Sequence, residues 1–132
     1  MHAKVALITR LEKGNKKVRY AYLATGNFNE RTARLYADFG LLTMDKKITH
    51  ELSSLFDYLI RLKPKSIKFK TLLVSRFNMK KKLLQLIDTE IAASKKGLTA
   101  KIHLKMNAMD EVEMIEKLYE ASQQGVEIKS DC

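Results

Sequence analysis

The chain has 132 residues, 45% of them hydrophobic and 30% charged, a balance that excludes disorder throughout and fits one domain or parts of two. Lysine and arginine number 25 against 15 acids, a net charge of +10, which favours an anionic partner such as nucleic acid, another polyanion or an acidic surface. A single cysteine, Cys132, excludes an intramolecular disulfide, and no apolar stretch approaches the ~20 residues of a membrane span, so a cytoplasmic protein is expected.

Ala3 to Thr9 reads as a buried strand, apolar on both faces. Glu12 to Lys17 is polar and holds Gly14-Asn15, a hairpin loop. Val18 to Ala24 is the return strand, with Tyr20 and Tyr22 on one face. Thr25 to Glu30 is rich in turn formers, and Asp38 to Thr43 predicts a short strand. Ile48, Leu52, Leu55, Phe56 and Leu59 recur at helical spacing, with Asp45 or Thr49 near the start. That helix stops before Pro64, and Lys63-Pro64-Lys65-Ser66 is the candidate linker.

Phe69 to Val74 predicts extended chain. A helix is expected from Met79 to Ser94, with Leu83, Leu84, Ile87 and Ile91 inward and Gly97 as its stop. Ala100 to Asn107 alternates, with Ile102, Leu104 and Met106 facing one way and Lys101, His103 and Lys105 the other, the pattern of a half-buried strand. Asp110 and Glu113 predict a capping box for a last helix striped by Val112, Ile115, Leu118 and Tyr119. Gly125 ends it, and Val126 begins a strand. Strands alternating with helices give an α/β or α+β class. Both termini fall within strands, so the chain reads as a piece of a larger protein.

Chemistry is expected at His2-Ala3-Lys4. In a strand, residues i and i+2 share a face, so an imidazole and an ammonium project side by side. Imidazole is a competent nucleophile toward phosphorus, and the ammonium stabilises the charge that develops on oxygen. The return strand runs into Thr25-Gly26-Asn27, where small residues let backbone approach a ligand and Asn can orient an imidazole or a phosphate. This order of motifs is similar to a half-site of phospholipase D-like enzymes. The phosphodiesterase members place an Asp five residues after the Lys; Thr9 stands there instead.

With these stretches in place, the chain resembles the large, histidine-phosphorylated polyphosphate kinases. The resemblance rests on His2-Ala3-Lys4 with Leu7-Ile8, on Val18-Arg19-Tyr20-Ala21, and on Thr25-Gly26-Asn27-Phe28-Asn29-Glu30. It continues through Thr32-Ala33-Arg34-Leu35-Tyr36 and Asp38 to Thr43, then Leu73-Val74-Ser75, Leu86-Ile87-Asp88, Lys105-Met106-Asn107 and Leu118 to Ser122.

The resemblance implies an α/β fold of incomplete phospholipase D-like halves. Residues 1–63 would close one such domain, and residues 64–132 would open the next. It implies reversible transfer of the terminal phosphate of ATP to inorganic polyphosphate, with His2 phosphorylated, Lys4 and Asn27 assisting, and Tyr36 contacting the nucleotide. Arg19, Arg31 and Arg34 are further candidates for polyphosphate oxygens. Magnesium is implied, with its ligands outside this chain, as are a homo-oligomer and contact with the inner membrane face. No specific nucleic-acid partner is expected.

Two departures stand out. Tyr22 replaces the family's second His, and a phenol of pKa ~10 does not shuttle protons near neutrality as imidazole does; Ala24 replaces a usual Gly. The closing Lys129-Ser130-Asp131-Cys132 leaves the family pattern. With its nucleophile on a terminus expected to fray and half the constellation missing, the isolated chain is expected not to turn over. The alternative is a basic, non-catalytic module that binds polyanions. His50 and His103 are expected to face solvent, no metal site is expected, and Lys80-Lys81-Lys82 reads as a solvated helix start or a nucleic-acid patch.

Overall fold

Strand β1 (Lys4–Glu12) and strand β2 (Lys16–Ala24) form the hairpin predicted from the sequence. They do so in a computed structural model that describes residues 3–61 and 67–131. The turn needs left-handed backbone, and it gets it from Gly14 at φ 79° and Asn15 at φ 56°, two residue types that tolerate this region. Register runs from Lys4 opposite Ala24 to Glu12 opposite Lys16. A short helix α1 (Glu30–Ala33) follows, capped by the Asn29 side chain. Strand β3 (Gly40–Thr43) then joins the other side of β2, antiparallel, giving the order β1-β2-β3.

Strand alternation puts Val5, Leu7, Ala21, Leu23 and Thr43 on one face. Ala21 is fully buried, which marks this face as the one covered by helix α2 (Lys46–Arg61). That helix buries Thr49, Leu52 and Leu55. Asp45 starts it by accepting from the N–H groups of Lys47 and Ile48 at 2.8 and 3.0 Å. Thr49 is not the cap: its hydroxyl donates back to the Asp45 carbonyl from within the first turn. The opposite face carries Lys4, Ala6, Tyr22, Ala24 and Leu42 and, among the described residues, has no helix packed across it; Ile8 and Leu42 stay 58% and 76% exposed. The expectation that β1 is buried on both faces is therefore corrected. It is an edge strand with one covered side, and none of its residues is fully buried.

Phe69 to Val74 is not a strand. The N–H groups of Lys70, Thr71 and Leu72 all donate to the Glu51 carboxylate on α2, at 2.8–3.1 Å. Donors gathered on one anion cannot also serve a sheet ladder. This clasp keeps the segment with α2, and the chain divides into the compact units Met1–Leu72 and Leu73–Cys132. The expected linker residues 63–66 lie outside the described residues.

The second unit opens with a π-helical turn (Ser75–Met79), in which the Val74 carbonyl accepts from Phe77, Asn78 and Met79. Helix α3 (Lys80–Lys95) continues from it and stops at Gly97, φ 72°. Strand β4 (Lys101–Lys105), helix α4 (Val112–Gln123) and strand β5 (Glu127–Asp131) follow, with β4 and β5 parallel. Ile87, Ile91, Ala100, Leu118, Ala121 and Val126 form the core.

Two expectations for α4 are corrected. Its cap is Glu111, not Asp110; the carboxylate accepts from the Met114 N–H at 2.8 Å. Its buried stripe runs through Leu118 and Ala121 with Met114 packed against them, while Val112 and Tyr119 are 66% and 69% exposed. Among the described residues no helix is long and apolar enough to cross a membrane.

Candidate functional site

The end of the sheet where β1 begins and β2 finishes brings Lys4 near the Thr25-Gly26-Asn27 turn. Lys4, half-buried, pairs with Ala24, and the three residues after Ala24 are Thr25, Gly26 and Asn27. Thr25 is pinned twice: its N–H donates to the Phe39 carbonyl at 3.0 Å, and its hydroxyl accepts from the Phe39 N–H at 2.9 Å. Gly26 lies directly against Asp38. A Cβ there would overlap the Asp38 carboxylate and come within 2.9 Å of its Cβ. Asn27 is exposed, and its carbonyl accepts from the Asn29 N–H at 2.8 Å. Asn29 in turn accepts from Arg31 and Thr32 to launch α1. His2 lies outside the described residues.

Tyr22 shares the open face with Lys4. Its ring sits 5.7 Å from that of Phe28, tilted by 31°. Its phenol lies over Gly40, where a Cβ would meet the oxygen at 2.8 Å. Tyr36, 60% exposed, follows α1, and Arg31 and Arg34 are exposed on and just after that helix. Among the described residues no carboxylate pairs with either arginine.

Arg19 is not brought to this place. It pairs with Thr9 on the opposite, Ala21-bearing face, about 16 Å along the strand from the Lys4 row. A strand's period of two sends it away from Lys4 regardless of its nearness in sequence.

The remaining candidates do not converge. His50 and His103 are exposed on α2 and β4. Lys80 is held between Glu111 and Glu113 at 2.6 and 2.5 Å, and these hydrogen bonds hold its ammonium pKa above the ordinary value; it does not belong to an open cationic patch. A cavity of about 530 Å³ in the second unit is lined by charges of both signs, among them Arg76, Lys81, Asp88 and Glu113. Among the described residues no group of three His, Cys, Asp or Glu is placed to hold a metal ion. Sequence reasoning missed Asp38 and the Tyr22–Phe28–Gly40 stack. Both are contacts between segments that only the β2–β3 pairing juxtaposes.

Two family models match consecutively: polyphosphate kinase C-terminal domain 1 over residues 1–65, and C-terminal domain 2 over residues 72–130. The chain belongs to the polyphosphate kinase family. It is 46% identical over 129 residues to the polyphosphate kinase of Vibrio cholerae and 43% identical over 128 residues to that of Escherichia coli, covering 98% and 97% of this chain. It spans 18% of the length of each of these curated relatives. A crystal structure of the polyphosphate kinase from Porphyromonas gingivalis is similar, with a TM-score of 0.84 and 40% identity, over 98% of this chain and 22% of that one. The mixed α/β class expected from the sequence, with its phospholipase D-like sheets and helices, stands on this likeness. Polyphosphate kinases are phosphotransferases, and the Lys4 end of the sheet lies beside the Thr25-Gly26-Asn27 turn.

Proposed function

We propose that the chain carries the phosphate-accepting part of a polyphosphate kinase, the end of one phospholipase D-like domain and the start of the next. An imidazole nitrogen of His2 attacks the terminal phosphorus of ATP; the P–N bond forms as the bond to ADP breaks, and ADP leaves. A terminal oxygen of polyphosphate then attacks the same phosphorus, the P–N bond breaks, and the chain is longer by one phosphate. Both steps reverse. Phosphoryl transfer runs mainly on positioning and charge neutralisation. Lys4 neutralises the transferring oxygens, Asn27 orients the imidazole or the phosphate, and Tyr36 meets the nucleotide. Arg31 and Arg34, without carboxylate partners among the described residues, suit polyphosphate oxygens. The reading takes magnesium to be held by residues outside this chain, and no step here runs through it. It takes the protein to be a cytoplasmic homo-oligomer that also meets the inner membrane face.

The observation that carries the reading is the register. Lys4 opposite Ala24 sets the start of β1 beside the Thr25-Gly26-Asn27 turn, and His2 precedes Lys4 by two residues in sequence. The test is to graft residues 1–132 in place of the matching segment of the Vibrio cholerae enzyme. The graft is expected to form an acid-labile phosphohistidine and to lengthen polyphosphate; His2→Ala abolishes both, and Lys4→Ala slows transfer by about 10²–10³. A His2→Ala graft that still labels or still makes polymer ends the proposal. The net charge of +10 favours a second reading, a non-catalytic polyanion binder. Duplex DNA displacing long-chain polyphosphate from the chain at equal phosphate concentration would support it.

A further inference from the structure

The far end of the β1–β2 hairpin has a composition unlike the rest of the molecule. Residues 4–24 contain Lys4, Arg10, Lys13, Lys16, Lys17 and Arg19 against a single acid, Glu12. Glu12 accepts from the Tyr20 hydroxyl at 2.7 Å. The ion pairs seen among the described residues all lie between residues 80 and 129, so none neutralises this hairpin.

The architecture separates these charges from the sheet body. Strand β3 pairs only with Ala21 to Ala24. From Ile8 and Tyr20 outward the hairpin is a bare two-stranded ribbon, and residues 8–17 are exposed. Arg10 and Lys16 project from one face of it, Lys17 and Arg19 from the other, and Lys13 sits in the turn.

Distance sets what this arm can bind. The row of Lys4 and the row of Lys16 are about 27 Å apart along the strand, more than three Debye lengths at physiological salt. A compact anion held at Lys4 does not feel the tip, whereas a linear polyanion can engage both ends. Single-stranded nucleic acid is read largely by exposed aromatic rings. The arm's aromatic, Tyr20, is half-buried and its hydroxyl is engaged by Glu12.

We propose that the hairpin tip, Arg10, Lys13, Lys16 and Lys17, is a second docking point for long-chain polyphosphate, holding the polymer remote from the Lys4 end. The proposal rests on the polyphosphate kinase reading and deepens it. It also places Arg19, which the sheet turns away from Lys4, on this arm.

The test is fluorescence anisotropy of the full chain with labelled long-chain polyphosphate and, by competition, tripolyphosphate. The combined change Lys13→Gln, Lys16→Gln and Lys17→Gln is expected to weaken long-chain binding by about tenfold at physiological salt. It should flatten the dependence of log affinity on log salt by roughly 2 and leave tripolyphosphate unchanged. A charge-matched variant, Lys81→Gln with Lys82→Gln and Lys96→Gln, keeps long-chain affinity within about twofold if local charge rather than net charge binds the polymer. Lys13→Gln alone, in the exposed turn, gives a smaller loss in the same direction and guards against misfolding of the triple variant. Equal losses in both triple variants, an equal loss for tripolyphosphate, or an equal loss of similarly tight duplex DNA binding each overturn the proposal. The arm is read from these affinities and the phosphohistidine from labelling of the graft, so failure of the one and failure of the other are read separately.

Discussion

A methyl group at position 26 would occupy the space of the Asp38 carboxylate. Gly26 is thus set by what crosses it, and its φ is not in the left-handed region. The crossing is held by the two Thr25–Phe39 hydrogen bonds, so the turn cannot simply slide away. Gly26→Ala is expected to cost about 1–3 kcal/mol through overpacking, and Gly26→Ala with Asp38→Ala to recover most of it. Urea unfolding of the two variants measures both, and an undiminished loss in the double variant would show that Asp38 is not the obstacle. Tyr22 follows the same logic: its phenol fills the room left by Gly40 and its ring leans on Phe28. A tyrosine fits at position 22 because a glycine faces it.

At the scale of elements, the Glu51 clasp is the contact with the clearest pH signature. Burial works against the charged carboxylate, but the N–H donors of Leu72, Lys70 and Thr71 outweigh it and hold its pKa below the ordinary value of 4.5. Unfolding returns Glu51 to that ordinary value. The clasp therefore contributes fully above the unfolded-state pKa and is lost as pH falls through the lower, folded-state one. Glu51→Ala is expected to cost roughly 1–2 kcal/mol near neutrality, the lower range reflecting access of water to the segment. Unfolding followed from about pH 6 to pH 3 should show the cost shrinking with acid; a cost that stays constant across that range would remove the carboxylate from the account. Asp45 and Glu111 illustrate the neighbouring rule. Asp45 accepts from two N–H groups of the first turn of α2, and at α4 the carboxylate on extended backbone, Glu111, takes the start in place of the Asp110–Glu113 box.

At the scale of the molecule, the chain holds His2 and Lys4 but spans 18% of its curated relatives. The isolated chain incubated with ATP and magnesium is therefore expected to make no polyphosphate, checked by polymer-specific dye fluorescence; polymer formation would show that this part suffices by itself.

Much of the fold was legible because it is encoded locally. Gly14-Asn15 and Gly97 mark their turns by backbone freedom, and Ile102 and Leu104 mark β4 by alternation. The family, too, is written in short contiguous stretches, since phosphoryl transfer needs particular groups at particular spacings. Local pattern thus yields most of the strands and long helices, the family and the identity of the candidate groups. Only the tertiary structure decided which of them meet. Arg19 goes to the wrong face because pairing with Thr9 dictates its side, and Phe69 to Leu72 is drawn off the extended path by a carboxylate some twenty residues earlier in the chain. The edge position of β1 leaves it half-solvated despite its apolar run. These outcomes depend on contacts between distant segments, and a local pattern carries no information about which distant partner will arrive.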